Sequence, residues 1–213
     1  LDIQFQDIRP QLQLKGLEEA IRGIARRIPK GALVLVETTV PPGTCEKVLA
    51  PVLNDELLQR GLEEDSVHLA HSFERVMPGN AYLESINNFW RAYAGTTDEA
   101  ADVCEAFLSS IVDIEKFPLT RLSSMTASET AKVMENTYRA ANIAFVDEWT
   151  KYAEAVGLDL YEIIDAIRVR PTHSNIRTPG LGVGGYCLTK DPAFTPAVAK
   201  QVFGLNELEF PFS

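Results

Sequence analysis

The 213 residues carry 30 acidic against 20 basic side chains, a net charge of -10, and 46% of them are hydrophobic, enough to bury a sizeable core over one or two domains. That charge argues against a nucleic-acid partner or an anionic membrane surface, although it leaves room for a local basic pocket around a phosphate. No apolar run is long enough to cross a bilayer, and Leu1-Asp2-Ile3-Gln4 is not the start of a signal peptide, so a cytoplasmic location is expected.

Leu14, Leu17, Ile21, Ile24 and Ile28 recur at helical spacing until Pro29-Lys30-Gly31 breaks the pattern, and the apolar run 32–36 then reads as a buried strand. A loop over 37–44 leads to a predicted helix over 45–60. Residues 67–72 and 90–94 are further strand candidates, separated by a Pro78-Gly79-Asn80 loop and a short helix near 82–88. Strands alternating with helices predict an α/β fold with a parallel sheet.

Beyond residue 100 only 111–117 is a weak strand candidate, and the character is helical. Thr126-Ala127-Ser128-Glu129 has the spacing of a capping box, predicting a long helix over 127–155 that stops at Gly157, with Ala131, Met134, Tyr138, Ala141 and Phe145 along one apolar stripe. That stripe offers a dimer core. Residues 160–167 read as another helix and 171–185 as an irregular loop.

Cys45, Cys104 and Cys187 are an odd number of cysteines at wide spacing, which suits neither a disulfide framework nor a zinc site, so reduced thiols and no metal are expected. Cys104 reads as packed helix core and Cys45 as structural. Cys187 has different company: Lys190 favours its thiolate, Asp191 moves protons, and the glycines, Gly184 among them, let the backbone approach a ligand. The string GLGVGG at 180–185 mimics a dinucleotide fingerprint. It lacks the preceding strand and following helix that such a fingerprint needs. Lys132 and Asn136, four apart, share a helix face and either aim an ammonium and an amide at one oxyanion or form an exposed face. Thr39, at the carboxyl end of a predicted strand, is either ligand-binding or a turn hydroxyl.

GVGGYCLTKD at 182–191 resembles the GxGGxCxxKD signature of the nucleotide-sugar 6-dehydrogenases. Three further segments resemble the family in the expected order: ETTVPPGT at 37–44, SFERVMPG at 72–79 and SETAKVMENT at 128–137. The resemblance implies the second half of an NAD-binding domain over 1–118, an all-helical central domain like that of 6-phosphogluconate dehydrogenase over 119–205, and the start of a UDP-binding domain over 206–213. It implies NAD-dependent oxidation of a primary alcohol to a carboxylate, through an aldehyde and a thioester on Cys187. By the same resemblance Lys132 and Asn136 hold the oxyanion and contact substrate, Asp191 assists proton transfer through water, and Glu74 assists thioester hydrolysis beside the substrate. Thr39 joins the water network near the cofactor. Lys190 either lies near the nicotinamide or is a surface charge, and Arg75 either lies near the sugar nucleotide or is likewise only a surface charge.

Where the UDP-glucose branch carries a second glutamate this chain has Pro78, and ERVMPG instead resembles the N-acetylhexosamine branch. In that branch His173 aligns with an arginine that reaches substrate across a homodimer, so His173 is a candidate for that role. The expected substrate is therefore a UDP-N-acetylhexosamine. Alternatives are UDP-glucose 6-dehydrogenase, a two-electron 3-hydroxyacid or 6-phosphogluconate-type dehydrogenase, and a non-catalytic dimerisation unit. The motifs place the chain as a central piece of such an enzyme, lacking the fingerprint strand and the nucleotide domain, and expected to be inactive alone.

Overall fold

The computed structural model describes residues 2–6, 9–76 and 79–210, so the reading at Pro78 and the last three residues of the expected UDP-binding segment lie outside it. Its centre is a four-stranded sheet of β3 (Leu33–Val36), β4 (His68–His71), β5 (Ala92–Gly95) and β6 (Thr120–Arg121), in that spatial order. Before it come β1 (Asp2–Gln6) and β2 (Arg9–Gln13), an antiparallel hairpin. The helices around the sheet are α1 (Lys15–Ala25), α2 (Ala50–Gln59), α3 (Tyr82–Asn87) and α4 (Asp98–Ser109).

Side chains alternate across the sheet as a pleat requires. Val34, Val36, Leu69 and Ala94 join Ile21, Leu49, Leu53 and Leu57 under α1 and α2. Leu33, Leu35, Ala70 and Tyr93 meet Ala101, Cys104 and Leu108 of α4 on the other face. Both faces are covered, which is why the predicted strand at 32–36 is a continuous apolar run.

Three local expectations change. The sheet is mixed: β3 and β4 run parallel, and so do β5 and β6, but β4 and β5 are antiparallel. In the antiparallel pair β5 enters at the end where β4 leaves. The segment 111–117 is turns, and β6 begins only at Thr120, which carries the sheet just past the expected boundary at 118. The helix predicted over 45–60 opens with a π-helical turn, Cys45–Leu49, in which the Ala50 amide reaches the Cys45 carbonyl. Pro51 is the cause, having no amide for the Lys47 carbonyl and a ring that collides with it.

The helical part consists of α5 (Met125–Val156), α6 (Leu160–Arg168), the short α7 (Tyr186–Lys190) and α8 (Phe194–Gln201). Helix α5 matches the prediction within two residues at each end, but its cap differs. Ser124 is the N-cap, its hydroxyl accepting from the Ala127 amide, while Thr126 and Glu129 bond elsewhere. Its buried face also differs from the predicted stripe: Met125, Ser128, Glu129, Val133, Asn136 and Ala140 are buried, whereas Met134 is 70% and Phe145 53% exposed. Strand β2 lies along α8, and Leu12 packs with Val133 and Phe194. No helix among the described residues is long and apolar enough to cross a membrane.

Candidate active site

The carboxyl ends of β3 and β4 and the first three turns of α5 meet in one place. After β4 the chain passes through buried Phe73 to Glu74, whose backbone carbonyl accepts from Lys132 Nζ at 3.1 Å and whose Oε2 accepts from the Val76 amide at 2.5 Å. The Phe73 ring carries two cations, Arg75 at 5.1 Å and Lys132 at 5.7 Å. Arg75 also pairs with Glu135 at 3.1 Å and donates to the Trp90 carbonyl at 2.8 Å, so it is a half-buried, fixed charge. One turn beyond Lys132, buried Asn136 donates to Asp191 Oδ2 at 2.6 Å.

Asp191 has no exposure, and its second oxygen holds Lys190 Nζ at 2.6 Å. Lys190 lies 4.3 Å from the centre of the Phe194 ring and 5.3 Å from that of Tyr186. Its side chain is 11% exposed, which removes the reading of it as a solvated surface charge. A carboxylate and two ring faces together offset the loss of water around that ammonium. Gly185, at φ 84, turns the chain into α7 in a conformation other residues seldom adopt, and Cys187 follows as the exposed second residue of that helix. The glycine string thus precedes a five-residue helix with an irregular segment before it, not a strand. Gly184 is exposed, with open space where a Cβ would stand.

Burial pushes the Cys104 thiol up to about 12, with Glu37 adding to the effect, and burial followed by the Glu129 carboxyl raises Cys45 well above the usual thiol range. Two of the three thiols are therefore inert core groups, and Cys187 is the one that meets solvent. Thr39 is half-buried just beyond β3. His173 stands apart from this cluster. It is exposed, bonded to the Thr172 hydroxyl at 2.9 Å, and lines a cavity of about 540 Å³ with Tyr138, Asn142 and Phe145 of α5. No group of His, Cys, Asp and Glu among the described residues is arranged to hold a metal ion.

The profile of the "UDP-glucose/GDP-mannose dehydrogenase family, NAD binding domain" matches residues 6–111, and that of the same family's central domain matches 126–207. The chain belongs to the UDP-glucose/GDP-mannose dehydrogenase family. The UDP-N-acetyl-D-mannosamine dehydrogenase of Pyrococcus horikoshii is 40% identical over 192 residues, 90% of this chain and 44% of that protein. A solved structure of the Pyrococcus horikoshii UDP-D-ManNAc dehydrogenase superposes with a TM-score of 0.78 at 38% identity, covering 92% of this chain and 44% of that one. An NDP-N-acetyl-D-galactosaminuronic acid dehydrogenase from Methanosarcina mazei gives a TM-score of 0.76 at 29% identity, covering 99% of this chain and 44% of that one. The chain spans less than half the length of these family members.

Several residues that shape this family member's site escape a sequence reading. His71 Nδ1 lies 2.8 Å from the Ser128 hydroxyl, joining β4 to α5. Burial lowers its pKa to about 4, against a smaller upward pull from the Thr38 backbone, so the ring is neutral at pH 7. Glu129 accepts from the amides of Gly43 at 2.5 Å and Cys45 at 2.7 Å, and Glu46 accepts from the amide and hydroxyl of Thr126 at 3.2 and 2.7 Å. Burial raises the Glu129 carboxyl to about 7, against the hydrogen bonds from Cys45 and Gly43. Polar residues at these positions read as solvated in a sequence, and only their partners reveal them as buried.

Proposed function

We propose that the protein carrying this chain oxidises the C6 alcohol of a UDP-N-acetylhexosamine, with UDP-N-acetylmannosamine the preferred form, to the uronic acid in two NAD-dependent steps. One observation carries the reading: Lys132 and Asn136, one turn apart on α5, are each fixed to a backbone or side-chain partner beside the helix that presents Cys187. The relatives' names supply the sugar. The carboxyl ends of β3 and β4, where an open sheet takes a dinucleotide, offer Thr38 and Thr39 as hydroxyl donors, which fits the nicotinamide end of NAD. NAD held there would supply the acceptor for the hydride that leaves C6 in each oxidation.

In the first oxidation the alcohol loses its hydride from C6, and its hydroxyl proton leaves through water held near Asp191 and Thr39. Both Asp191 oxygens are engaged, so it orients Asn136 and Lys190 and meets the proton through that water. Cys187 thiolate then adds to the aldehyde carbon, and the resulting oxyanion faces the Lys132 ammonium and the Asn136 amide. Loss of the second hydride from this thiohemiacetal leaves a thioester. Water, giving up its proton to Glu74, attacks the thioester carbon, and the C–S bond breaks to return the thiolate. Arg75, held by Glu135, lies toward the sugar nucleotide.

The exposed stripe of Met134, Tyr138 and Phe145 supports a homodimer through α5, with His173 on the face that the partner approaches. The test of the reaction is turnover by the whole protein against a panel of UDP- and GDP-sugars. The expected result is two NADH per UDP-N-acetylhexosamine consumed. One NADH per sugar, or turnover confined to UDP-glucose, would overturn the reading.

A further inference from the structure

We infer that Glu129 is a positioning residue of this site, locking the loop that carries Thr39 to the helix that carries Lys132 and Asn136; the inference rests on the dehydrogenase reading above. The two oxygens of its buried carboxyl take separate amides, Gly43 at 2.5 Å and Cys45 at 2.7 Å. Gly43 lies four residues after Thr39, and Pro41 and Pro42 between them leave the loop little freedom to relax. Lys132 and Asn136 lie three and seven residues beyond Glu129, on its own face of α5. The tie therefore acts on the oxyanion donors over one to two rigid turns.

The joint is reciprocal. The opening amides of a helix have no partner within it. Here the amides opening the helix at Cys45 are met by Glu129 of α5, and the Thr126 amide in the first turn of α5 is met by Glu46 at 3.2 Å. Each carboxyl also sits at the positive end of the other element's dipole. A third tie, Ser128 to His71, anchors the same turn of α5 to the end of β4, three residues before Glu74. The Thr39 loop, Glu74 and the Lys132–Asn136 pair are thus set relative to one another by residues 46, 128 and 129, none of which faces the substrate in the proposed reaction.

The competing account is a purely structural link, such as that of Glu56, which holds Arg22 at 2.9 Å and Arg26 at 3.1 Å between α1 and α2, away from the site. Steady-state kinetics of Glu129→Gln, Glu46→Gln and Glu56→Gln in the whole protein, with UDP-N-acetylmannosamine and NAD, separate the two. Glu129→Gln is expected to lower kcat about 10- to 100-fold while leaving the KM for the sugar nucleotide nearly unchanged, because misplaced donors lose the transition state before they lose the ground state. The Gly43 and Cys45 amide proton resonances should move upfield in the same variant. Glu56→Gln is expected to lower the Tm and leave kcat alone. Should Glu129→Gln fail to fold, Glu46→Gln reads out the other half of the joint, with a smaller loss in kcat. A folded Glu129→Gln or, in its place, Glu46→Gln with wild-type kcat overturns the inference, as does a loss that Glu56→Gln shares at equal change in Tm. A wild-type protein that makes no NADH overturns instead the dehydrogenase reading beneath it.

Discussion

Replacing Cys187 with serine is expected to abolish carboxylate formation while leaving the fold intact. In the proposed reaction a thiolate adds to the aldehyde, is carried as a thioester and is then expelled by water; a serine hydroxyl is a far weaker nucleophile and its alkoxide a poorer leaving group. Loss of a nucleophile that works as a unit with its neighbours costs about 10³-fold or more in kcat. Cys187 is exposed on α7 and packs into neither core cluster of the sheet, so the variant should keep the wild-type Tm. The measurement is NADH released per sugar nucleotide, with the aldehyde trapped by a hydrazine. Two NADH per sugar from Cys187→Ser at near wild-type rate would end the assignment of a thioester to this residue.

Asn136→Asp is expected to be the most damaging conservative change in the chain, and its damage should depend on pH. Asn136 is buried and donates to Asp191 Oδ2 at 2.6 Å, and the other Asp191 oxygen already holds Lys190. An aspartate there would set two buried carboxylates in contact, with Lys190 paired to the far oxygen of Asp191. A buried charge left without a partner costs about 3–5 kcal/mol. The new carboxyl's folded pKa is raised above its unfolded value of about 3.9, so the folded variant keeps a proton that the unfolded chain releases. Its stability is accordingly recovered below pH 4 and lost as pH rises through the folded pKa. Urea midpoints of wild type, Asn136→Asp and Asn136→Ala across pH 4 to 8 provide the check. The aspartate variant should diverge from wild type with rising pH and the alanine variant should not. Parallel curves for the two variants would overturn the expected contact between the carboxyls at 136 and 191.

The order of elements was legible because the physics that sets it is local. The run 32–36 had to be a strand covered on both faces, and it sits between α1 and α2 on one side and α4 on the other. The long helix was predicted over 127–155 and spans Met125–Val156, since its composition favours helix throughout and Gly157 stops it. The cysteine in its glycine-rich setting, followed by Lys190 and Asp191, identified the family from a ten-residue string.

What the sequence left open was direction and depth. The antiparallel join of β4 to β5 is a matter of strand direction in space, which the periodicity of a strand does not report. The face of α5 buried within the chain was not legible because apolar content does not decide burial where polar groups find partners. Met134 and Phe145 point outward, while Ser128, Glu129 and Asn136 point in, each satisfied by a residue 55 to 86 positions away in the chain. Thr126 and Glu129 carry the spacing of a local cap, yet each bonds to the segment around Cys45, because two helix ends brought together offer each other better donors than either has at home. By itself the sequence determined the family and the succession of elements, and it singled out Cys187 as the candidate nucleophile. Only the tertiary structure decided that Lys190 is folded back between the rings of Tyr186 and Phe194 and the Asp191 carboxylate, and that Glu129 joins α5 to the loop at Gly43 and Cys45, because burial is set by packing and, for Glu129, by partners more than 80 positions away in the chain.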